Sequence, residues 1–418
     1  MTVVPDEWTL YTPHDIAGLA KDALVIGPFG SNLKTSDYRD EGVPLVFVKD
    51  IRAEDFSRPR AYVSTTKAVE LRAHQVLPGD ILITKMGEPP GDVALYDSDV
   101  PGVITADCIR LRPTSGFDRK YLVHSLRTPS ARKQIEAITT GAAQKKVSLD
   151  RFRTRLHIAA PTVVEQKRIA AVLDHVDTLR AKCREAIALL DDLAQSIFLE
   201  MFGDPAGNPM KWPLRSLRSV SSVFSDGPFG SNLKSAHYQE SGIRVVRLQN
   251  IGVGEFVDRD QAYVSVDHFQ SLKRHSCLPG DILIGTLGEP NLRACIQPEW
   301  LELALNKADC VQMRVDQGVA DSVFMCALLN QPGTEKLAQS MTVGQTRLRI
   351  SMGRLRDLEV PFPPLASQSM FRTATESVER SKAQYRTQLA SLDELFTSLQ
   401  HRAFSGTLWD HEATGDAV

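Results

Sequence analysis

The sequence predicts a mixed α/β (α+β) fold built twice in tandem, with two long helices that pair as an antiparallel coiled coil. Three observations predict it. The string GPFGSNLK stands at 27–34 and again, letter for letter, at 227–234. An ordered series of further matches accompanies both copies. Each copy is followed by a long stretch without glycine or proline.

The series of matches establishes a duplication of about 200 residues, too long a period for a solenoid. LPGDILI at 77–83 returns at 278–284, and Gly87-Glu88-Pro89 returns as Gly288-Glu289-Pro290. Ala106-Asp107-Cys108 returns as Ala308-Asp309-Cys310, and AYVS at 61–64 returns at 262–265. Upstream, Trp8-Thr9-Leu10 matches Trp212-Pro213-Leu214. The offset drifts by only a few residues, as loops gain or lose residues between two copies of one fold. The boundaries read as a head over 1–160, a long helix over 161–204, a second head over 205–363, a second long helix over 364–406 and a tail over 407–418.

Within each head, short apolar runs between turn signals read as strands: PLVFVKDI at 44–51, DILITKM at 80–86 and RVVRLQNI at 244–251. LPGD places a Pro-Gly turn ahead of a strand in both copies. YLVHSLRTPSARKQIEAI carries apolar residues at helical spacing, and Pro129 either kinks that helix or starts a new one.

The first long helix starts after Pro161-Thr162 and stops at Gly203-Asp204-Pro205. Ile169, Val172, Val176, Leu179, Cys183, Ala186, Leu190, Leu193 and Ile197 alternate steps of three and four, a heptad seam. At 1.5 Å per residue the helix is roughly 57 Å long, and such a pair predicts two heads held about that far apart. Adding 202 gives the second seam: Phe371, Ala374, Val378, Ser381, Tyr385, Gln388, Leu392, Leu395 and Leu399. Two helices in one chain bury their seams against each other, and the intervening head brings the chain back antiparallel.

Bulk properties narrow the function. The net charge is −2 and the pI about 6.6, so a nucleic-acid site is a local patch and not a global field. Six cysteines without a C-x-x-C pair suggest reduced thiols and a cytoplasmic protein, not a zinc knuckle or a disulfide framework. The N-terminus lacks the basic start and apolar core of a signal peptide, and no apolar run is long enough to span a bilayer.

A search for catalytic motifs returns none. In GPFGSNLK the lysine stands four residues after the second glycine, so the string is not a P-loop, and it fails the dinucleotide fingerprint as well. It reads as a structural turn marking the repeated head. No H-E-x-x-H, G-x-S-x-G or S-adenosylmethionine motif occurs. Asp80 and Asp281, after the Pro-Gly turns, read as turn or capping side chains, as do Glu88 and Glu289. No metal site is expected.

Basic clusters are the remaining candidates. TTGAAQKKVSLDRFRTR at 139–155 holds Lys145, Lys146, Arg151, Arg153 and Arg155, and MTVGQTRLRISMGRLRD at 341–357 holds Arg347, Arg349, Arg354 and Arg356. Each passes a glycine and a polar loop and enters a helix at Ser148 or Ser351. Such loops present arginine, glutamine and threonine to phosphates and base edges. The candidate DNA-binding residues are Lys34, Lys145, Lys146, Arg151, Arg153, Lys234, Gln345, Thr346, Arg347, Arg349 and Arg354. After GPFGSNLK the copies diverge, so two DNA-reading heads would read different sequences.

This organisation resembles the specificity subunit of type I restriction-modification enzymes. The resemblance rests on GPFGSNLK and LPGDILI in both heads, on RTRLHIAAPTVVEQKRIAAVLDHVDTL at 153–179, on LAQSIFLEMFGDP at 193–205 and on LFTSLQHRAFSGTL at 395–408. It covers nearly the whole chain. It implies two target-recognition domains that each read one half of a split double-stranded DNA site, and two helices that set the gap. It implies docking of two N6-adenine methyltransferase subunits, which carry the S-adenosylmethionine, and of a motor-nuclease subunit in a restriction complex. This chain itself would then be non-catalytic and hold no cofactor. The position of Glu165, Gln166 and Arg168 at the helix start suggests partner docking, with Gln368 as the plain match in the second helix, where SQSMFRTATESVERS departs from the first pattern. The rival readings are a stand-alone or variable-cassette DNA-recognition scaffold, a coiled-coil interaction protein without a DNA role, and an enzyme with an unrecognised site.

Overall fold

The computed structural model describes residue 5 and residues 7–141, 145–288, 290–344 and 348–409. The chain divides into two compact units, Met1–Arg184 with Thr387–Val418, and Glu185–Arg386. Each unit therefore holds one head and half of each long helix.

The first head is organised around two sheets. A four-stranded antiparallel sheet runs in the order Leu24–Ile26, Cys108–Leu111, Ile81–Thr84, Val93–Leu95. A five-stranded sheet runs Tyr38–Arg39, Tyr62–Val63, Val43–Val46, Gly102–Ile104, Gln75–Val76, with one parallel pair that sets Leu45 opposite Val103. The second head repeats both orders, with Ser221–Asp226, Cys310–Val315, Ile282–Gly285 and Arg293–Ile296 in its four-stranded sheet. ILIT and ILIG are buried along their whole length. Their unbroken apolar runs reflect neighbours on both faces.

Local capping corrects the strand readings. PLVFVKDI is not one strand: Val43–Val46 is followed by a helix over Val48–Ala53. The Asp50 carboxylate reaches back to accept the Phe47 N–H at 2.8 Å, and Asn250 does the same for Arg247 at 2.9 Å in the second head. A side chain that captures a backbone donor ends the extended run. Pro129 starts a new helix, Pro129–Ala137, which Thr128 caps by accepting the Ala131 N–H. Proline suits the first helical position because its missing N–H has no intrahelical partner there.

The turn aspartates are structural. Asp80 is buried, accepts the Leu77 N–H at 2.8 Å and takes Arg112 on both oxygens at 2.7 Å. Asp281 repeats this with Leu278 at 2.8 Å and with Arg314 at 2.7 and 2.8 Å. It accepts Gln312 as well, at 2.6 Å. Each bidentate pair ties the LPGD turn to the neighbouring strand.

The long helices run Val163–Phe202 and Leu365–Phe404. In the first unit Arg180 pairs with Asp393 at 2.6 Å, and Arg168 lies over the Trp409 ring at 4.1 Å. In the second unit Lys382 pairs with Asp191 at 2.7 Å, and the Phe198 and Phe371 rings meet at 5.6 Å. Numbers rise on one helix as they fall on the other, so within each unit the halves run antiparallel.

The seam itself needs correcting. Ile169, Val176 and Cys183 are buried, but Leu193 is 46% exposed, while Leu173 is fully buried. In the second helix Thr375 and Lys382 are buried where Ala374 and Ser381 were expected to be, and Leu395 is exposed. One position in each heptad is thus displaced by one residue. The reason is chemical: the true positions include Arg180 and Lys382, long cations whose stems pack and whose heads reach carboxylates. A search for apolar letters passes over them. Both helices also dock into a head. Ile169, Ala170, Leu173 and Ala403 join the first core, and Phe198, Phe202 and Phe371 join the second.

Six cysteines are buried and unpaired. Burial pushes the thiols of Cys108, Cys310 and Cys326 up to about 12, and it raises those of Cys277 and Cys295 as well. No described helix is long and apolar enough to cross a membrane.

Two predictions follow from this packing. At neutral pH a thiol-reactive dye should leave the native chain essentially unlabelled and label all six cysteines in denaturant; fast native labelling would show that the cores open. Replacing Asp281 by Ala should lower unfolding free energy by about 3 kcal/mol, toward the low end for a broken buried pair because Arg314 can rehydrate. Urea denaturation measures it, and Asp80→Ala should cost more, because it also leaves the buried Arg110, 4.0 Å away, without its carboxylate.

Candidate nucleic-acid interface

Each head places its basic segment as a short hairpin. In the first, Thr139–Thr140 pairs with Lys146–Val147, and Ser148 caps the following helix Leu149–Arg155. In the second, Thr342–Val343 pairs with Arg349–Ile350, and Ser351 caps Met352–Arg356. Both hairpins are held against the chain that leaves the central strand of the four-stranded sheet. Lys146 bridges Met86, and Arg349 bridges Leu287. The Val147 N–H donates to the Lys85 carbonyl at 2.9 Å, and the Ile350 N–H donates to that of Thr286 at 3.1 Å. Lys146 and Arg349 occupy the same place in the two copies.

The GPFGSNLK loop meets this edge. Its letters divide by cause. A Cβ on Gly27 would stand 2.0 Å from the Thr105 oxygen, and one on Gly227 would stand 2.1 Å from the Lys307 carbonyl carbon. Only glycine permits that approach. Gly30 and Gly230 are left-handed, at φ 56° and 63°. Leu233 is buried in the sheet core. Phe29 and Phe229 are 50% and 44% exposed, and their retention has no such structural reason.

Each of these phenylalanines carries a cation. Lys85 Nζ stands 4.1 Å from the Phe29 ring centroid, and the Arg349 guanidinium stands 5.3 Å from that of Phe229. The cation comes from the residue after strand Ile81–Thr84 in the first copy and from the hairpin strand Arg349–Ile350 in the second, yet reaches the same ring. Burial pulls the Lys85 ammonium below its ordinary value, against the opposing pull of Asp107. Arg349 pairs with Asp309, the counterpart of Asp107, at 2.9 Å. Beside this, Tyr38 packs on Phe47 at 6.0 Å in the first head. In the second, Arg247 and Lys307 lie 5.8 and 5.4 Å from the Tyr238 ring. The result in each head is an edge of aromatic faces and cations, a combination suited to phosphates and base faces. The two edges share a plan and differ in residues.

The other candidates are placed as follows. Lys34 and Lys234 are exposed, directly after the turn. Lys145 is exposed and pairs with Glu88 at 2.7 Å. Arg151 is half-buried. Arg153 turns inward and donates to the Leu24 carbonyl at 3.2 Å, which ties the helix to the sheet. Arg354 is exposed and donates to the Met341 carbonyl at 3.1 Å. Gln345, Thr346 and Arg347 lie outside the described residues, as does Glu289. Sequence reasoning passed over Phe29, Phe229, Lys85, Tyr238, Arg247 and Lys307. The exact repetition of an aromatic inside a polar turn was the one signal available for the first two. Among the described residues no cluster of three or more His, Cys, Asp or Glu is placed to hold a metal ion.

The docking candidates separate. Gln166 is 2% exposed and Gln368 is 0%. Gln166 accepts the Asp118 N–H at 2.8 Å and donates to the Pro161 carbonyl at 2.9 Å. Gln368 accepts the Asp321 N–H at 2.9 Å and donates to the Pro363 carbonyl at 2.8 Å. Both ends of each amide are used inside the unit, so these glutamines fasten a long helix to its head and offer nothing to a docking partner. Glu165 is half-buried, and Arg168 is exposed over Trp409. Gln166→Ala or Gln368→Ala should therefore lower stability by about 1–3 kcal/mol, the cost of orphaning a buried amide's partners. Thermal unfolding of each variant checks this, and an unchanged midpoint would contradict it.

Comparison with known proteins agrees with this plan. Residues 33–188 match the family described as Type I restriction modification DNA specificity domain. The type I restriction enzyme MjaVIII specificity subunit of Methanocaldococcus jannaschii is 20% identical over 318 residues, 72% of either chain. A type I restriction-modification S subunit from M. genitalium has the same fold, with TM-score 0.58 at 16% identity over 97% of this chain and 98% of that one. A chain solved in work on complex assembly and conformational transition of the type I R-M system superposes with TM-score 0.51 at 17% identity, over 97% of this chain and 100% of that one. In its doubled head and paired helices the chain is thus similar to the specificity subunits of type I restriction-modification systems, and residues 33–188 match that family's DNA specificity domain.

Proposed function

We propose that the two heads read the two halves of a split, asymmetric double-stranded DNA site. The observation that carries this is the repeated edge: an exposed phenylalanine under a cation, beside a basic hairpin, built at equivalent places from different residues. A shared scaffold with divergent side chains is what reading two different half-sites requires. The chain supplies recognition without catalysis, and two N6-adenine methyltransferase subunits bring the S-adenosylmethionine and the chemistry. A motor-nuclease subunit joins them in the restriction form. The long helices support docking: Val164, Leu189, Leu193, Leu199, Met370 and Leu395 are exposed apolar residues along them, of the kind that partner proteins cover.

The test is genome-wide mapping of N6-methyladenine with and without this gene; loss of one split motif on deletion is expected, and an unchanged map with an active partner would refute the reading. Lys146→Ala and Arg349→Ala should then affect opposite halves. A phosphate contact lowers affinity for all sequences and reduces the salt slope by about one, whereas a base contact relaxes one half-site. Phe29→Ala should weaken binding in the assembled complex without lowering the melting temperature, since the ring is half-exposed.

A further inference from the structure

The two copies differ where the helix begun by a Pro meets the end of a long helix. In the second unit this place is filled by the turn that follows the first long helix. A Cβ on Gly333 would stand 1.8 Å from Asp204 Oδ1, 2.9 Å from the Ala206 nitrogen and 3.0 Å from Pro205 Cδ. Asp204 shapes that turn by accepting the Ala206 N–H at 3.0 Å. The Gly-Asp-Pro turn is therefore seated on the start of helix Pro332–Gln339.

In the first unit the same place is a cavity of about 300 Å³. Ser130, the counterpart of Gly333, lines it, together with Gln400 and Phe404, the counterparts of Phe198 and Phe202. It is open for two reasons. Gln400 stands where the second unit has Phe198, a fully buried ring. The chain after the second long helix also runs elsewhere: a Cβ on Gly406 would stand 2.3 Å from Pro5, Leu408 enters the core, and Trp409 lies under Arg168. Leu10 and Ile158 give the cavity apolar walls, while His157 and His401 line it with imidazoles.

We propose that this cavity receives a Gly-Asp-Pro-type peptide turn presented by a partner protein, in trans, where the second unit seats its own turn in cis. The chemistry matches: proline and the backbone of the turn against the apolar walls, and an acidic side chain toward imidazoles and the exposed Ser130. Ser130 carries a side chain where Gly333 has none, so the incoming turn lies farther out, in the room that Gln400 leaves. This inference stands apart from DNA reading.

The test uses the full chain and a labelled peptide, FGDPAGN, the sequence of residues 202–208, titrated to millimolar concentration by fluorescence anisotropy. Saturable binding is expected, lost when the peptide aspartate becomes alanine. Gln400→Phe, which restores the ring of the other copy, should weaken binding by roughly tenfold at an unchanged melting temperature. A photoreactive version of the peptide should crosslink to Pro129–Gln134 or Gln400–Phe404, and this locates the site even if the variant folds poorly. Absence of saturable binding, equal binding by a folded Gln400→Phe variant, or crosslinks confined to the second unit would each overturn the proposal. Tighter binding by a chain lacking residues 410–418 would assign the cavity to the chain's own end and overturn it too.

Discussion

The insertion of the long helices into the heads is the constraint on which the rest of the chain depends. An isolated helix of 40 residues with a mixed seam has little to hold it in water. Here the helix ends complete the head cores. Phe198, Phe202, Phe324 and Phe371 form one aromatic cluster with centroids 4.9 to 6.4 Å apart, and Ile169, Ala170 and Leu173 do the equivalent in the first head. Each fully buried side chain of this size contributes about 1.5–3 kcal/mol. Gln166 and Gln368 add the directional part, because an amide with both ends bonded admits only one helix position relative to its head.

The heads can then diverge at their edges without losing their fold. The buried elements repeat nearly letter for letter: the ILI strands, the bidentate Asp–Arg turns, and the glycines jammed against a neighbouring carbonyl. The edge residues do not. Lys85 and Arg349 serve equivalent phenylalanines from different segments of the head, and Phe47 corresponds to Arg247 beside Tyr38 and Tyr238. This separation of scaffold from edge is the physical condition for changing what a head recognises while keeping how it is held.

The duplication also leaves an asymmetry. The second unit closes the groove at its Pro-initiated helix with its own Gly-Asp-Pro turn, and the first leaves it open. Two substitutions account for the difference, Gln400 for Phe198 and Ser130 for Gly333, together with the different path after the second long helix. The copies are alike in topology and unlike in what they offer to other molecules.

The sequence by itself determined the doubled plan, the mixed α/β heads, the two long helices and their breakers, because these depend on local chemistry and on exact repetition. Glycine, proline and capping residues act over a few positions, and a repeated string requires no knowledge of packing. It determined the basic segments as well, but not which of their members face outward. Arg153 turns in to the Leu24 carbonyl and Lys146 does not, although both are cations in one run. Only the tertiary structure decided the seam phase, because Arg180 and Lys382 bury their stems and find carboxylates on another helix. It alone showed that Gln166 and Gln368 are internal fasteners, since their partners lie about 48 residues away in sequence at Asp118 and Asp321. It alone joined the GPFGSNLK loop to the basic hairpin, through contacts between segments that no local pattern connects.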